Sequence, residues 1–494
     1  MKKTKAIEVF YPDLDDSPYY RIPTIAKLNN GDILVGADQR QTTESDYGGV
    51  INPVLRIKKS NSCEFSKVIK VLENPTDGFI SPTYTIDMSL SVDGKSGVVY
   101  MLLDKFKSLG NYETSKKGSG YIKKDGKPCL LLFERQVNNL LFNKEENRYY
   151  LKDGEVYSLD DKKTTFTVTT NDTYPYKKLG NLYNEGELVG NIFSDLSPIV
   201  AHQMPYLWFL KSEDGGNSFT SPIDITGQVS KDSMMFIGTC PGRGLFTNKS
   251  RIIFPIYYTE ENPEDIYRNV EKAALIYSDD YGKTWQMSNS SSDLELDDEI
   301  TKNKTIDISE SQIVELSNGN IIMFSRTTAK KVVYAISYDG GKSFRGKLRY
   351  VDFKSEPFCM LSVVSNTRSS NEYILLSNPK GPGRENGEVK LLKVAGDVLK
   401  TVATKQINTR GFAYSAIEKL DDEEGFALLY EEKKTYKGEN RVHIMYTEFD
   451  FEWGCCKIDK SFLYHSSTLP ESLASLSRRA KPQTFWECTP MMER

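Results

Sequence analysis

The sequence predicts an all-β protein: a six-bladed β-propeller with a small β domain inserted into it. Three observations carry this. A loop of the form S-x-D-x-G-x-[ST]-[FW] occurs three times, at Ser212–Phe219, Ser278–Trp285 and Ser337–Phe344, each time after an apolar, aromatic strand (YLWFLK, AALIY, VVYAI). The spacing is about sixty residues, the mark of a repeated supersecondary unit. A second pattern, strand then Asn-Gly turn then strand, occurs at Leu28–Val35 and Leu316–Met323, with looser copies at 89–103, 245–257, 369–377 and 420–431. That makes six hairpins. Helical periodicity is scarce, and aromatic residues make up 11% of the chain, which suits strands. Radial closure of six short sheets would leave no open sheet edge.

Each element has a local reason. In the repeated loop the Asp can accept backbone N–H groups within the turn, the Gly permits a positive φ, and the terminal aromatic plugs the loop against its sheet. A fourth copy at Ser60–Phe65 follows the strand VLRIKK but has lost both Asp and Gly. The period breaks once, where a stretch rich in Lys, Asn, Asp and Tyr carries no such loop. The resulting division is a propeller of residues 1–104 and 205–453, an inserted small β domain at 105–204, and a tail of unknown role at 454–494.

Composition narrows the function. The chain has 494 residues, 64 Lys+Arg against 68 Asp+Glu, and a formal net charge of -4, so it lacks the basic excess of a nucleic-acid partner. Three scattered histidines, His202, His443 and His465, argue against a His-rich metal site and a Ser-His-Asp triad. Seven cysteines without a CxxC pair argue against a zinc site or a disulfide framework. The start, MKKTKAIEVFYPDLDD, has no apolar region of the signal-peptide kind, and no apolar run reaches the roughly 18 residues of a membrane span. The expectation is a soluble chain with no export signal and no membrane span. Acid–base chemistry would fall to carboxylates and tyrosine.

The repeated loops resemble the Asp boxes of sialidases, and Tyr20-Arg21-Ile22-Pro23 matches that family's [FY]-R-I-P signature. The resemblance covers about residues 8–453. The inserted segment and the Pro241-Gly-Arg-Gly stretch are most similar to the large bacterial exo-α-sialidases. The resemblance implies a terminal α-linked sialic acid as substrate, on glycans, glycoproteins or gangliosides, and no cofactor. Guanidinium groups suit the sugar's carboxylate, being planar, always charged and able to bond bidentately. Arg21 (in RIP), Arg326 (ending NGNIIMFSR) and Arg384 (in SNPKGPGRENG) resemble the family's three clamp arginines. A neutral tyrosine avoids the repulsion a carboxylate nucleophile would meet beside that anion, and sialidases are the known exception to two-carboxylate glycoside hydrolysis. Tyr414, in GFAYS, resembles the nucleophile, and Glu310, in SESQIVE, its base, since a phenol near pKa 10 needs one. Asp46, in ESDYGG, resembles the acid/base. Arg40 resembles the arginine of the sugar's O4 region, Asp87 the aspartate near the N-acetyl pocket, and Glu431 the glutamate that orients the first arginine. Glu310 and Arg326 end one hairpin, ESQIVELSNGNIIMFSR, which returns both to the same rim.

The function implied is an exo-α-sialidase that hydrolyses with retention. Two alternatives stand beside it: an intramolecular trans-sialidase that releases an anhydro-sialic acid, with Tyr436 as the aromatic that would exclude water, and a non-catalytic sialoglycan-binding propeller. Family members are secreted or at the cell surface. The sequence departs from the family pattern in its degenerate first Asp box and in Asn52, which stands where members often carry Asp.

Overall fold

The computed structural model describes residues 3–75, 82–108, 110–135, 147–262, 265–297, 306–353, 357–420 and 425–452. The tail expected at 454–494 lies outside the described residues. Strands dominate the described residues, which form six sheets of four, eight, nine, five, five and four strands.

The six-bladed expectation is corrected: the arrangement is four-bladed. Four sheets of four or five strands stand as separate blades, while strands expected to form two further separate sheets are hydrogen-bonded into one nine-stranded sheet. The join is a parallel pairing of Ile51 with Tyr84. The Asn74 side chain reinforces it, donating to the Ile51 carbonyl at 2.7 Å and to Thr85 Oγ1 at 3.0 Å. Gly242–Arg243 adds a further parallel contact to this sheet at Ser89 and Leu90. Among the described residues, the first strand, Ile7–Phe10, pairs with the last, Glu439–Asp450, which closes the circle.

Residues 121–201 supply the eight-stranded sheet. It shares one core with the body: Leu132, Leu182 and Phe193 belong to the same buried cluster as Leu102, Trp208, Phe209 and Trp285. Hydroxyls cross the junction as well, from Tyr121 to Asp224 and from Tyr176 to the Phe219 carbonyl.

The three repeated loops close in the same way. Asp280 accepts from Ser278 Oγ at 2.8 Å, Thr284 N at 2.8 Å and Thr284 Oγ1 at 2.7 Å. Asp214 and Asp339 accept from the matching Ser212 and Ser218, and Ser337 and Ser343. Gly282 has φ 88°, and a Cβ there would sit 2.3 Å from the Phe209 ring, so only glycine fits. The degenerate loop is closed from outside itself, by Asp32 accepting from Ser60 N and Lys59 Nζ at 2.9 Å each. Cys129, Cys240 and Cys359 are free and buried, whereas Cys63 is disulfide-bonded, which the spacing of the cysteines did not predict. No described helix is long and apolar enough to cross a membrane.

Candidate functional site

Three of the strands that break register carry a site residue at the break. Pairing slips between Arg21 and Thr24, between Ile86 and Ser89, and between Ile308 and Ser311. A bulge re-aims side chains that regular alternation would send to one face or the other. Arg21 stands at the edge of its slip, and Asp87 and Glu310 fall within theirs. Ile22 and Asp87 adopt φ of 60° and 61°. For a β-branched residue such as Ile22 this is strained backbone, and it is held by outside bonds.

Glu431 supplies the bond at Ile22. Buried to 2% exposure, its Oε1 accepts from Ile22 N and Arg21 Nε, both at 2.9 Å, and its Oε2 accepts from Arg21 Nη2 and Tyr414 N, both at 3.2 Å. One carboxylate therefore fixes Arg21, the strained turn after it and the backbone of Tyr414. Burial raises the Glu431 carboxyl, but Arg21 and the two backbone N–H groups outweigh it and hold it below the ordinary range.

Tyr414 sits at the centre. Its hydroxyl donates to Glu310 Oε1 at 2.7 Å. Arg326 Nη1 donates to the same hydroxyl at 3.1 Å and to Glu310 Oε2. The guanidinium carbons of Arg21 and Arg384 lie 5.6 and 5.4 Å from the centroid of the Tyr414 ring. All three expected clamp arginines thus surround this tyrosine. Burial, then the Glu310 charge, push the phenol well above its usual range, against the pull of Arg326 and Arg384. Unliganded, it is a neutral phenol.

Asp46 lies on the open side, 63% exposed, with Oδ1 2.8 Å from Arg40 Nη1 and 3.8 Å from Arg21 Nη1. Desolvation opposes its charge, but Arg40 and Arg21 prevail and hold its carboxyl low. Arg40 is fully buried and also meets Asp38 at 3.3 Å. Asp87 sits among acids: burial, then Asp38, Asp104, Glu310 and Asp46, push its carboxyl well up. All nine expected residues therefore belong to one connected region.

Sequence reasoning missed several neighbours. Asp38 is one, with burial pushing its carboxyl up to about 7 despite Arg40. Its position in GADQR, two before Arg40, puts both on one strand face and was a usable signal. Tyr257 is another, its phenol raised by burial and then by Asp87 and Glu310. Nothing local distinguishes it among 29 tyrosines. Phe358 carries no motif either. Asn52, the departure from the family pattern, accepts from Asn74 N at 2.8 Å and Asn74 Nδ2 at 3.0 Å.

The family of BNR repeat-like domains matches residues 22–431. The anhydrosialidase of Macrobdella decora is 24% identical over 88% of the chain, and sialidase B of Streptococcus pneumoniae serotype 4 is 26% identical over 87%. The chain spans 61% and 64% of the lengths of these two relatives. In fold it is similar to the intramolecular trans-sialidase of Ruminococcus gnavus solved with oseltamivir carboxylate, with TM-score 0.73 and 20% identity, covering 90% of this chain and 98% of that one. The leech intramolecular trans-sialidase solved with 2,7-anhydro-Neu5Ac gives TM-score 0.74 and 20% identity, covering 92% and 71%.

Proposed function

Because the chain belongs to the BNR repeat-like domain family and has sialidases among its homologues, we propose that it is an exo-α-sialidase acting on terminal sialic acid of glycans, glycoproteins or gangliosides. One observation carries the reading: the Tyr414 hydroxyl, 2.7 Å from Glu310, with three guanidinium groups around it. Arg21, Arg326 and Arg384 hold the sugar's carboxylate. Asp46 gives its proton to the glycosidic oxygen. The Tyr414 proton passes to Glu310 as the phenolic oxygen bonds to the anomeric carbon and the aglycone leaves. Water then attacks that carbon, losing its proton to Asp46, while the phenolic oxygen departs and regains the proton held by Glu310. Two displacements retain configuration. In the same reading, residues 1–104 and 205–453 form the catalytic body and 105–204 an inserted β unit.

The test is release of a fluorogenic aglycone from a sialoside by wild type and by Tyr414→Phe. Turnover by wild type with a loss of at least about 100-fold in the variant supports the reading. An inactive wild type or an unimpaired variant sinks it.

A second reading is intramolecular transfer to an anhydro-sialic acid, favoured by the likeness to the Macrobdella decora anhydrosialidase and the Ruminococcus gnavus enzyme. In the free protein the Tyr436 hydroxyl, the candidate cover in this reading, donates to Asp13 Oδ2 at 2.8 Å. Mass analysis of the released sugar separates the two, since the anhydro product is one water lighter. Binding of a sialoside by wild type without release of either sugar would point instead to a sialoglycan-binding protein.

A further inference from the structure

We infer that Phe358 is a positioning residue for the carboxylate clamp, an inference that rests on reading the site as one for a carboxylated sugar. The guanidinium carbon of Arg326 lies 3.5 Å from the centroid of the Phe358 ring. The Phe358 carbonyl accepts from Arg384 Nη2 at 3.2 Å. The next two residues, Cys359 and Met360, are buried and pack with Ile22 and Tyr414. One short stretch therefore touches two of the three clamp arginines and lies against the residue that follows the third.

The geometry says what the ring does. Arg326 uses an in-plane nitrogen, Nη1, for Glu310 and Tyr414. A carboxylate binds guanidinium in its plane, edge to edge. A ring on the face leaves those edges free. It fixes the plane in which they point, keeps water off the face, and favours the cation through the ring quadrupole. An aliphatic residue of similar bulk would fill the space without that attraction. Arg326 is held to 12% exposure, so no bulk water makes up for the loss.

The test compares Phe358→Leu and Phe358→Trp with wild type on the fluorogenic sialoside. The expected result for F358L is a KM raised roughly 3- to 30-fold, the range a cation–π contact of this burial implies, with kcat changed less than KM. F358W, which restores an aromatic face, should return KM toward wild type. Phe358→Met serves the same comparison where F358L does not fold. A KM unchanged in the aliphatic variant, or raised as much in a folded F358W, overturns the inference. The crystal structure of the aliphatic variant needs no substrate and separates this failure from a failure of the proposed function. Arg326 should leave the plane that joins it to Glu310 and Tyr414. If it stays there, Phe358 does not position it, whatever the enzyme's activity.

Discussion

Replacing Glu431 by Gln keeps the shape of the side chain and removes its charge. Each carboxylate oxygen accepts two donors, Ile22 N and Arg21 Nε at one, Arg21 Nη2 and Tyr414 N at the other. An amide must turn its NH2 toward one of these pairs, so two hydrogen bonds are lost in either orientation. Bonds to a charged group are worth about 1.5–3 kcal/mol each, which gives roughly 3–6 kcal/mol before relaxation. Arg21 would keep Asp46 as its nearer remaining charge, at 3.8 Å on an exposed side chain, which offsets little. The lower end of that range, about 3 kcal/mol, is shared between stability and the placement of Arg21 and Tyr414. If half or more of this falls on the transition state, kcat/KM drops at least about 10-fold. Denaturant unfolding and kcat/KM, measured together, account for both shares. The sign with pH follows: the folded carboxyl is depressed, so its contribution is full above the ordinary carboxylate range and is lost as pH falls through its lowered value. The stability gap between wild type and E431Q should therefore narrow in acid. A variant within about threefold of wild-type kcat/KM and unchanged in stability would refute the reasoning.

Two other outcomes follow from the same structure. Asp46→Ala should lose about 100- to 10,000-fold in kcat/KM on a sialyl-sugar glycoside but far less on an aryl sialoside whose leaving group needs no proton; equal losses on both would remove Asp46 from the acid role. At Asp280 burial works against ionisation, but Thr284, Ser278 and Lys283 outweigh it and draw the carboxyl down to about 2. Asp280→Ala should cost about 1–3 kcal/mol near neutral pH with kcat/KM unchanged. The gap from wild type should shrink as pH falls from the ordinary carboxylate range toward the depressed value, checked by urea unfolding across that window.

What the sequence revealed was local. Arg21 sits in a four-residue signature, and Glu310 and Arg326 end one hairpin whose register, Ser311 opposite Ser325, brings them together. The repeated loops were legible because each closes on its own Asp. Contacts between units were not legible in this way. Turn residues fix how strands pair within a hairpin, but nothing in Ile51 or Tyr84 announces that they pair with each other, and that single contact merges what the repeats presented as two sheets. The degenerate loop gave no sign that Asp32, from the preceding hairpin, would close it. Phe358 was invisible for a similar reason: its role depends on a ring in a connecting segment meeting a cation from a distant strand, and no spacing records that.

The charges at the site bear on the order of events in the proposed reaction. In the free protein Tyr414 is kept neutral by burial and by Glu310, so it presents no anion to an incoming carboxylate. Asp46 is in the opposite state, ionised because Arg40 and Arg21 outweigh its desolvation. A general acid must carry a proton, so the free protein is not yet set for the first step. The substrate's own carboxylate can supply the change. Bound to Arg21, it takes up part of the positive charge that holds Asp46 low, and it adds a negative charge nearby, so the Asp46 carboxyl rises on binding. The pH profiles should show this directly. Activity falls as Asp46 loses its proton, so the alkaline limb of kcat, which reports the bound state, should lie at higher pH than the alkaline limb of kcat/KM, which reports the free protein. A neutral methyl ester of the same sialoside lacks the charge, and for it the two limbs should draw together. Coincident limbs for the carboxylate substrate would show that its charge does not reach Asp46, and the acid would then need another source for its proton.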